Sequence, residues 1–232
     1  MNPDQLMHRA QVYRFLAGAF LYPRENWLED LPDLAPILES LEFSFPAPVP
    51  TSMDLETLQA DYRHTLGLSG SMPYETEIGL PDEYRQSQEM ADIAGFYRAF
   101  GFKVGGTVRE RPDYLATELE FMGLLALKQA YAAGEGNLDR AEICNQALIS
   151  FLTDHLGRWI ELFAGALTLA AGGNADDPLP GKPYVWLARF AASFVRSEGQ
   201  QLGVDLKTIS MRSAIPTPVG PELSCESCPA VS

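Results

Sequence analysis

The sequence predicts an all-α fold, a single-domain irregular bundle of about seven to nine helices. Three observations carry that expectation. Apolar residues recur at spacings of three and four in one segment after another. No segment shows a run of alternating β-branched residues. A 232-residue chain that is 46% hydrophobic, with 12 Phe, 9 Tyr and 3 Trp, has the material for one core and is not a disordered chain.

Residues 5 to 22 form the first helix, with Leu6, Ala10, Tyr13, Leu16, Ala17 and Phe20 on one stripe and Pro23 ending it. Trp27 to Leu41 is a second helix with Leu28, Leu31, Leu34, Leu38 and Leu41 in register, divided or delayed by Pro32 and Pro36. Residues 43 to 52 are a proline-rich link. Ser52 or Asp54 then caps a third helix carrying Leu55, Leu58 and Tyr62. Residues 66 to 81, rich in Gly, Pro and Ser, read as a long loop, and long loops in compact domains often carry function.

A helix resumes near Asp82 and turns Met90, Ile93, Ala94, Tyr97 and Phe100 inward until Gly101. The next helix opens at Glu110-Arg-Pro-Asp113, where proline and an acid suit a first turn, and lines up Leu115, Leu119, Met122 and Ala126. The strongest periodicity runs from Ile143 to Leu169 through Ala147, Phe151, Leu152, Leu156, Trp159, Phe163 and Leu167. After a connection at 170 to 183, Tyr184 to Val195 is the last helix. Residues 1–206 are expected to be the helical domain and 207–232 a tail.

With 17 Lys and Arg against 31 Asp and Glu, the net charge is −14. That excess repels a polyanion and argues against nucleic acid as a partner, while attracting basic segments. Cys144, Cys225 and Cys228 are too few and too crowded for a disulfide framework, so a reducing compartment fits. The N-terminal segment lacks the pattern of a secretory leader, and no uncharged apolar run reaches the roughly 18 residues a membrane span needs. The expectation is a soluble, cytoplasmic protein.

Catalytic motifs are scarce. No Glu-x-x-His pair, Gly-x-Ser-x-Gly elbow or phosphate-binding glycine loop occurs, and Asp61-Tyr-Arg-His64 is the nearest approach to a bundle metal motif. Cys225 and Cys228 have ligand-like spacing but supply only two thiolates, which makes them weak metal candidates. His155, four residues before Trp159, reads as a packed or capped helix histidine. The acids between Tyr74 and Glu120 are ten against five bases, ordinarily a solvated face. Glu118 is the exception, because it shares a stripe with Phe121 and Leu125, where a carboxylate is costly unless paired or facing a groove.

Glu110-Arg-Pro-Asp-Tyr-Leu-Ala-Thr-Glu-Leu-Glu-Phe-Met122 resembles the signature E-x-P-D-H-x-x-x-E-L-x-F-M of the TorD/DmsD/NarJ family of redox-enzyme maturation chaperones. Tyr13 to Pro23 is similar to the family's N-terminal Y-x-x-L-x-x-x-F-x-x-P helix, and Pro73 to Glu77 and Phe151 to Trp159 resemble two further segments in the family's order. The resemblance covers roughly residues 5 to 195. It implies an all-helical, non-catalytic cytoplasmic chaperone, monomer or homodimer, without a cofactor of its own. Such a chaperone binds the apo catalytic subunit of a molybdopterin oxidoreductase, often through its twin-arginine signal peptide, and holds it until cofactor insertion. Glu110, Pro112, Asp113, Glu118, Leu119, Phe121 and Met122 match the signature, whereas Tyr114 stands at its histidine position.

The residues fit that task. Adjacent guanidinium groups followed by an apolar segment call for carboxylates beside an apolar groove. Asp113, Glu110, Glu75 and Glu77 are expected to supply the charges, and Tyr74, Tyr114, Phe121 and Met122 the neighbouring surface, although core packing competes for Phe121 and Met122. Two other readings stand beside it: an enzyme with a carboxylate-ligated metal, and a structural subunit retained in an oxidoreductase complex.

Overall fold

Helix α1 (Pro3–Ala19) begins where the sequence supplies both a cap and a proline: Asn2 accepts from the Asp4 amide, and Pro3 takes the first helical position. The second helix is divided at Pro32, as its prolines predict. A 3-10 turn (Trp27–Asp30) runs into α2 (Leu31–Ser40). Asp54, of the two candidates, caps α3 (Leu55–Thr65) by accepting from the Thr57 amide at 2.8 Å. The chain continues through α4 (Glu75–Gly79), α5 (Glu83–Ala99), α6 (Leu115–Gly134), α7 (Leu138–Phe151), a π-helical turn (Leu152–Leu156), α8 (Gly157–Ala170) and α9 (Pro183–Gln201). These belong to a computed structural model that describes residues 2–67, 73–79, 83–105, 110–174 and 182–206. Among the described residues there is no strand, only an isolated antiparallel bridge between Tyr74 and Tyr114. The fold is the all-α, single-domain irregular bundle that the sequence predicts.

Helix α6 is the centre. Leu115, Leu119, Phe121, Met122, Leu125 and Ala126 are all fully buried, so it is enclosed on nearly every side. Gly123 lets α1 approach closely, since a Cβ there would lie 3.3 Å from that of Tyr13. Phe121 anchors one aromatic group, with ring centroids 4.8 Å from Tyr97 and 4.9 Å from Phe151. The proline-rich link is part of a second group. Phe43 and Phe45 pack on Phe190, and Trp186 donates to the Pro46 carbonyl at 2.8 Å. These rings bury large apolar areas, each worth about 1.5–3 kcal/mol relative to exposure.

Four expectations need correction. Residues 66 to 81 are not all loop, because Glu75–Gly79 is a short helix. Asp113 does not cap the helix that follows it: α6 starts at Leu115 with Tyr114 at the cap position and no side-chain cap. Ile143 is 59% exposed rather than buried, since α7 has rotated it outward at that end. The last helix runs six residues beyond Val195, because Glu198 is buried against Arg9 of α1 and so holds the extra turns to the core.

Candidate functional site

Residues 73 to 79 and 110 to 115 are clasped by backbone. The Glu75 amide donates to the Asp113 carbonyl at 3.0 Å, and the Leu115 amide to the Pro73 carbonyl at 2.9 Å, on either side of the Tyr74–Tyr114 bridge. Asp113 completes the clasp from its side chain. Its Oδ2 accepts from the Thr76 hydroxyl at 2.7 Å and the Thr76 amide at 3.3 Å, so it caps α4 from across the chain. The predicted signature residues and the Pro73 to Glu77 segment therefore form one structural unit, although about 35 residues separate them in sequence.

The outer side of this unit is built around Arg111. Its Nε and Nη2 donate to the two oxygens of Asp113 at 2.9 and 2.8 Å, Nη1 donates to Glu77 Oε1 at 2.5 Å, and Nη2 also donates to the Thr76 hydroxyl at 2.9 Å. The guanidinium lies over the Tyr74 ring, 4.3 Å from its centroid. Tyr74 in turn donates to Glu110 Oε1 at 3.0 Å, and burial together with that bond pushes its hydroxyl pKa up to about 12. Pro112 is held by the Tyr97 hydroxyl, which donates to its carbonyl at 2.7 Å. Tyr74, Glu77, Glu110, Arg111 and Pro112 all keep some exposed surface.

The inner side is buried. Glu75 turns away from solvent, and its Oε2 lies 3.3 Å from His155 Nδ1. His155, itself fully buried, has Nε2 3.2 Å from Asp92 Oδ2. Burial lowers the histidine pKa, but the bond and charge of Glu75, with Asp92 and Glu89, outweigh it and raise the value above normal. With a carboxylate at each ring nitrogen, the site favours the imidazolium form. Glu118 accepts from Trp159 Nε1 at 3.1 Å and faces Glu75. Burial, then the Glu75 charge, hold the Glu118 carboxyl well above the usual range. Burial raises Glu75 as well, and the Oε1 atoms of both residues are buried without another hydrogen-bond partner, so a proton held between the two carboxyls would satisfy both. The pairing the sequence demands of Glu118 is met by a carboxyl–carboxylate contact and an indole.

The predicted site residues therefore divide. Tyr74, Glu77, Glu110 and Pro112 are accessible together. Glu75, Asp113, Tyr114 and Glu118 are buried. Tyr114 donates to the Phe20 carbonyl at 2.8 Å, tying the central motif to the end of α1, so the tyrosine at the signature's histidine position acts by packing and hydrogen bonding. Phe121 and Met122 do not line a surface; both are fully buried because α6 is central. Cys225 and Cys228 lie outside the described residues, as does the 207–232 tail. Cys144 is a buried free thiol, as its helix position predicts.

Sequence reasoning missed Arg111, Thr76, Asp92 and the partnership of His155. A histidine four residues from both Phe151 and Trp159 was the available signal, since a buried ring nitrogen needs a partner. Glu75, Glu89 and His155 each offer a ligand atom, all within 4.8 Å of one another, a trio able to hold a divalent cation. However, His155 already has a carboxylate at each ring nitrogen, and Arg158 lies 3.7 Å from Glu89, so both compete with a cation there. Asp61 instead accepts from the Tyr184 amide at 3.4 Å and lies 3.8 Å from the Lys182 ammonium. Among the described residues, no helix is long and apolar enough to cross a membrane.

Comparison with known proteins adds family context. A model described as nitrate reductase delta subunit matches residues 26–165, which include the clasp and His155. The chain is 32% identical over 166 residues, 70% of its length and 76% of the relative's, to the selenate reductase assembly chaperone protein of Thauera selenatis. It is 31% identical over 119 residues to the chlorate reductase assembly chaperone protein of Ideonella dechloratans, covering 50% of this chain and 60% of that one. A 71-residue stretch, 31% of each chain, is 39% identical to the perchlorate reductase assembly chaperone protein of Dechloromonas aromatica (strain RCB).

Proposed function

Because the chain belongs to the nitrate reductase delta subunit family, we propose that it is an assembly chaperone for a molybdopterin-containing oxidoreductase. In this reading it binds the apo catalytic subunit in the cytoplasm, through that subunit's twin-arginine signal peptide, and holds it until the cofactor is inserted. Residues 1–206 are the chaperone domain, and the protein is not an enzyme. The observation that carries the reading is the relatives' assembly-chaperone names, together with the family match over residues 26–165, which includes the clasp. The accessible rim of Tyr74, Glu77, Glu110 and Pro112 supports it chemically, offering carboxylates and an aromatic face to guanidinium groups. The net charge of −14 also favours a basic segment over a polyanion.

The structure changes which residues should be tested. Asp113 and Glu75 hold the clasp and the interior together, so neutralising them disturbs folding as well as binding. Glu77→Gln with Glu110→Gln leaves the core intact. It is expected to weaken binding of a paired-arginine peptide and to flatten its salt dependence. A tagged pull-down from native anaerobically grown cells, eluted at raised salt, should recover a molybdoenzyme catalytic subunit lacking its cofactor. The carboxylate–histidine trio is the observation favouring a metal enzyme instead. Recovery of no client, with stoichiometric iron or manganese retained through gel filtration, would replace the chaperone reading with that one.

A further inference from the structure

We propose that Asp113, Glu77, Thr76 and the ring of Tyr74 form a guanidinium subsite that Arg111 fills in the free protein and vacates for an arginine side chain of a bound peptide. The identity of that peptide rests on the chaperone reading; the subsite does not.

The contacts to Arg111 are those that recognise arginine rather than a generic cation. One carboxylate meets the Nε and Nη2 edge end-on at 2.9 and 2.8 Å, a second takes Nη1, a hydroxyl takes Nη2 again, and an aromatic face lies beneath at 4.3 Å. Lysine cannot reproduce that fork, since its ammonium is a point charge. Apart from the exposed Glu77 carboxylate, the walls are held by bonds that do not involve the guanidinium. Asp113 is fixed by the Thr76 amide and hydroxyl, the two segments by backbone bonds at 3.0 and 2.9 Å, and Tyr74 by Glu110. The subsite therefore keeps its shape when the occupant changes.

Arg111 is the component free to leave. Its side chain is 37% exposed, and its backbone lies outside any helix, whereas the carboxylate it covers is fully buried. An empty subsite would leave the Asp113 carboxylate buried beside an unfilled space, which is strongly unfavourable. Exchange of one guanidinium for another preserves every bond, so entry of a second arginine costs little while the rest of the peptide supplies the affinity. Arg111 then acts as an internal competitor that rejects ligands lacking arginine.

Arg111→Ala separates the claims. Its thermal midpoint should rise with Nα-acetyl-arginine amide and not with Nα-acetyl-lysine amide, and neither should move the wild type. If both amides act alike on the variant, the subsite does not exist. A paired-arginine signal peptide should bind Arg111→Ala about tenfold more tightly than wild type, the factor for a competitor filling the site roughly nine-tenths of the time. Replacing its arginines by lysines should abolish the gain. Equal or weaker binding to the variant overturns displacement. If the arginine amide stabilises Arg111→Ala but no signal peptide binds either protein, the subsite stands and the chaperone reading fails. Should Arg111→Ala not fold, Arg111→Gln, whose amide still donates to Asp113, carries the same comparisons.

Discussion

Tyr114→Phe tests the joint between the central motif and α1. The Tyr114 hydroxyl donates to the Phe20 carbonyl at 2.8 Å, and both residues are buried. Burial raises its pKa above the ordinary value, so it remains a donor throughout the working range. Removing the oxygen keeps the ring and its 5.4 Å contact with Tyr74, but leaves the carbonyl with no other donor among the described residues. An orphaned buried acceptor costs about 1–3 kcal/mol. For a chain of this size each kcal/mol lowers the melting midpoint by about 2–4 °C, so a fall of roughly 2–12 °C is expected. Urea titration and calorimetry both read it. Tyr22→Phe is the control, because that exposed hydroxyl only accepts from Arg63 and should change stability by less than about 0.5 kcal/mol. A Tyr114→Phe protein as stable as that control would refute the claim that the hydroxyl holds the joint.

Two further predictions concern buried charge. His155 has a folded pKa above its ordinary 6.5, so its stabilisation is complete below pH 6.5 and is lost as pH rises through the folded value. Glu118, raised well above its ordinary 4.5, retains when folded a proton that the unfolded chain releases, so it too makes stability fall as pH rises. The urea midpoint should therefore decline as pH rises above about 6.5, and Glu118→Gln should reduce the slope by removing one titrating group; parallel slopes would show that Glu118 is not protonated. Arg9 and Glu198, paired at 2.6–2.9 Å in the core, form the other case. Arg9→Ala should cost about 3–5 kcal/mol, whereas Arg9→Met with Glu198→Leu should cost much less; equal losses in chemical denaturation would contradict the pairing account.

The helices with a single apolar stripe were legible because burial on one face imposes a spacing that the sequence must display, as in α2 and α8. The unfavourable position of Glu118 was legible for the same reason. Its partners were not, since Glu75 and Trp159 come from segments 43 and 41 residues away and no local pattern links them. Helix α4 was hidden because its first turn is capped by Asp113 from another segment rather than by its own residues. The polar end of α9 likewise looks like a helix exit until Arg9 is known to meet Glu198. Arg111 escaped notice because a base flanked by acids reads as ordinary surface charge, and only the fold places Tyr74 beneath it.

The π-helical turn at Leu152–Leu156 sets the phase of everything after it. Ala147, Phe151, His155, Trp159, Phe163 and Leu167 are all buried at intervals of four residues. In an uninterrupted α-helix each such step advances about 40° around the axis, so the stripe would wind away from the core within a few turns. The wider turn takes up one additional residue, equivalent to about 100°, and brings the stripe back. A helical wheel drawn at constant pitch through α7 and α8 would therefore place Trp159 on the wrong side. Closing this turn as a regular α-helix at the present chain length would swing the indole off Glu118, whereas deleting one of its residues would let the backbone close with Phe151 and Trp159 still in phase, so the wide turn and the residue count between them are one coupled requirement.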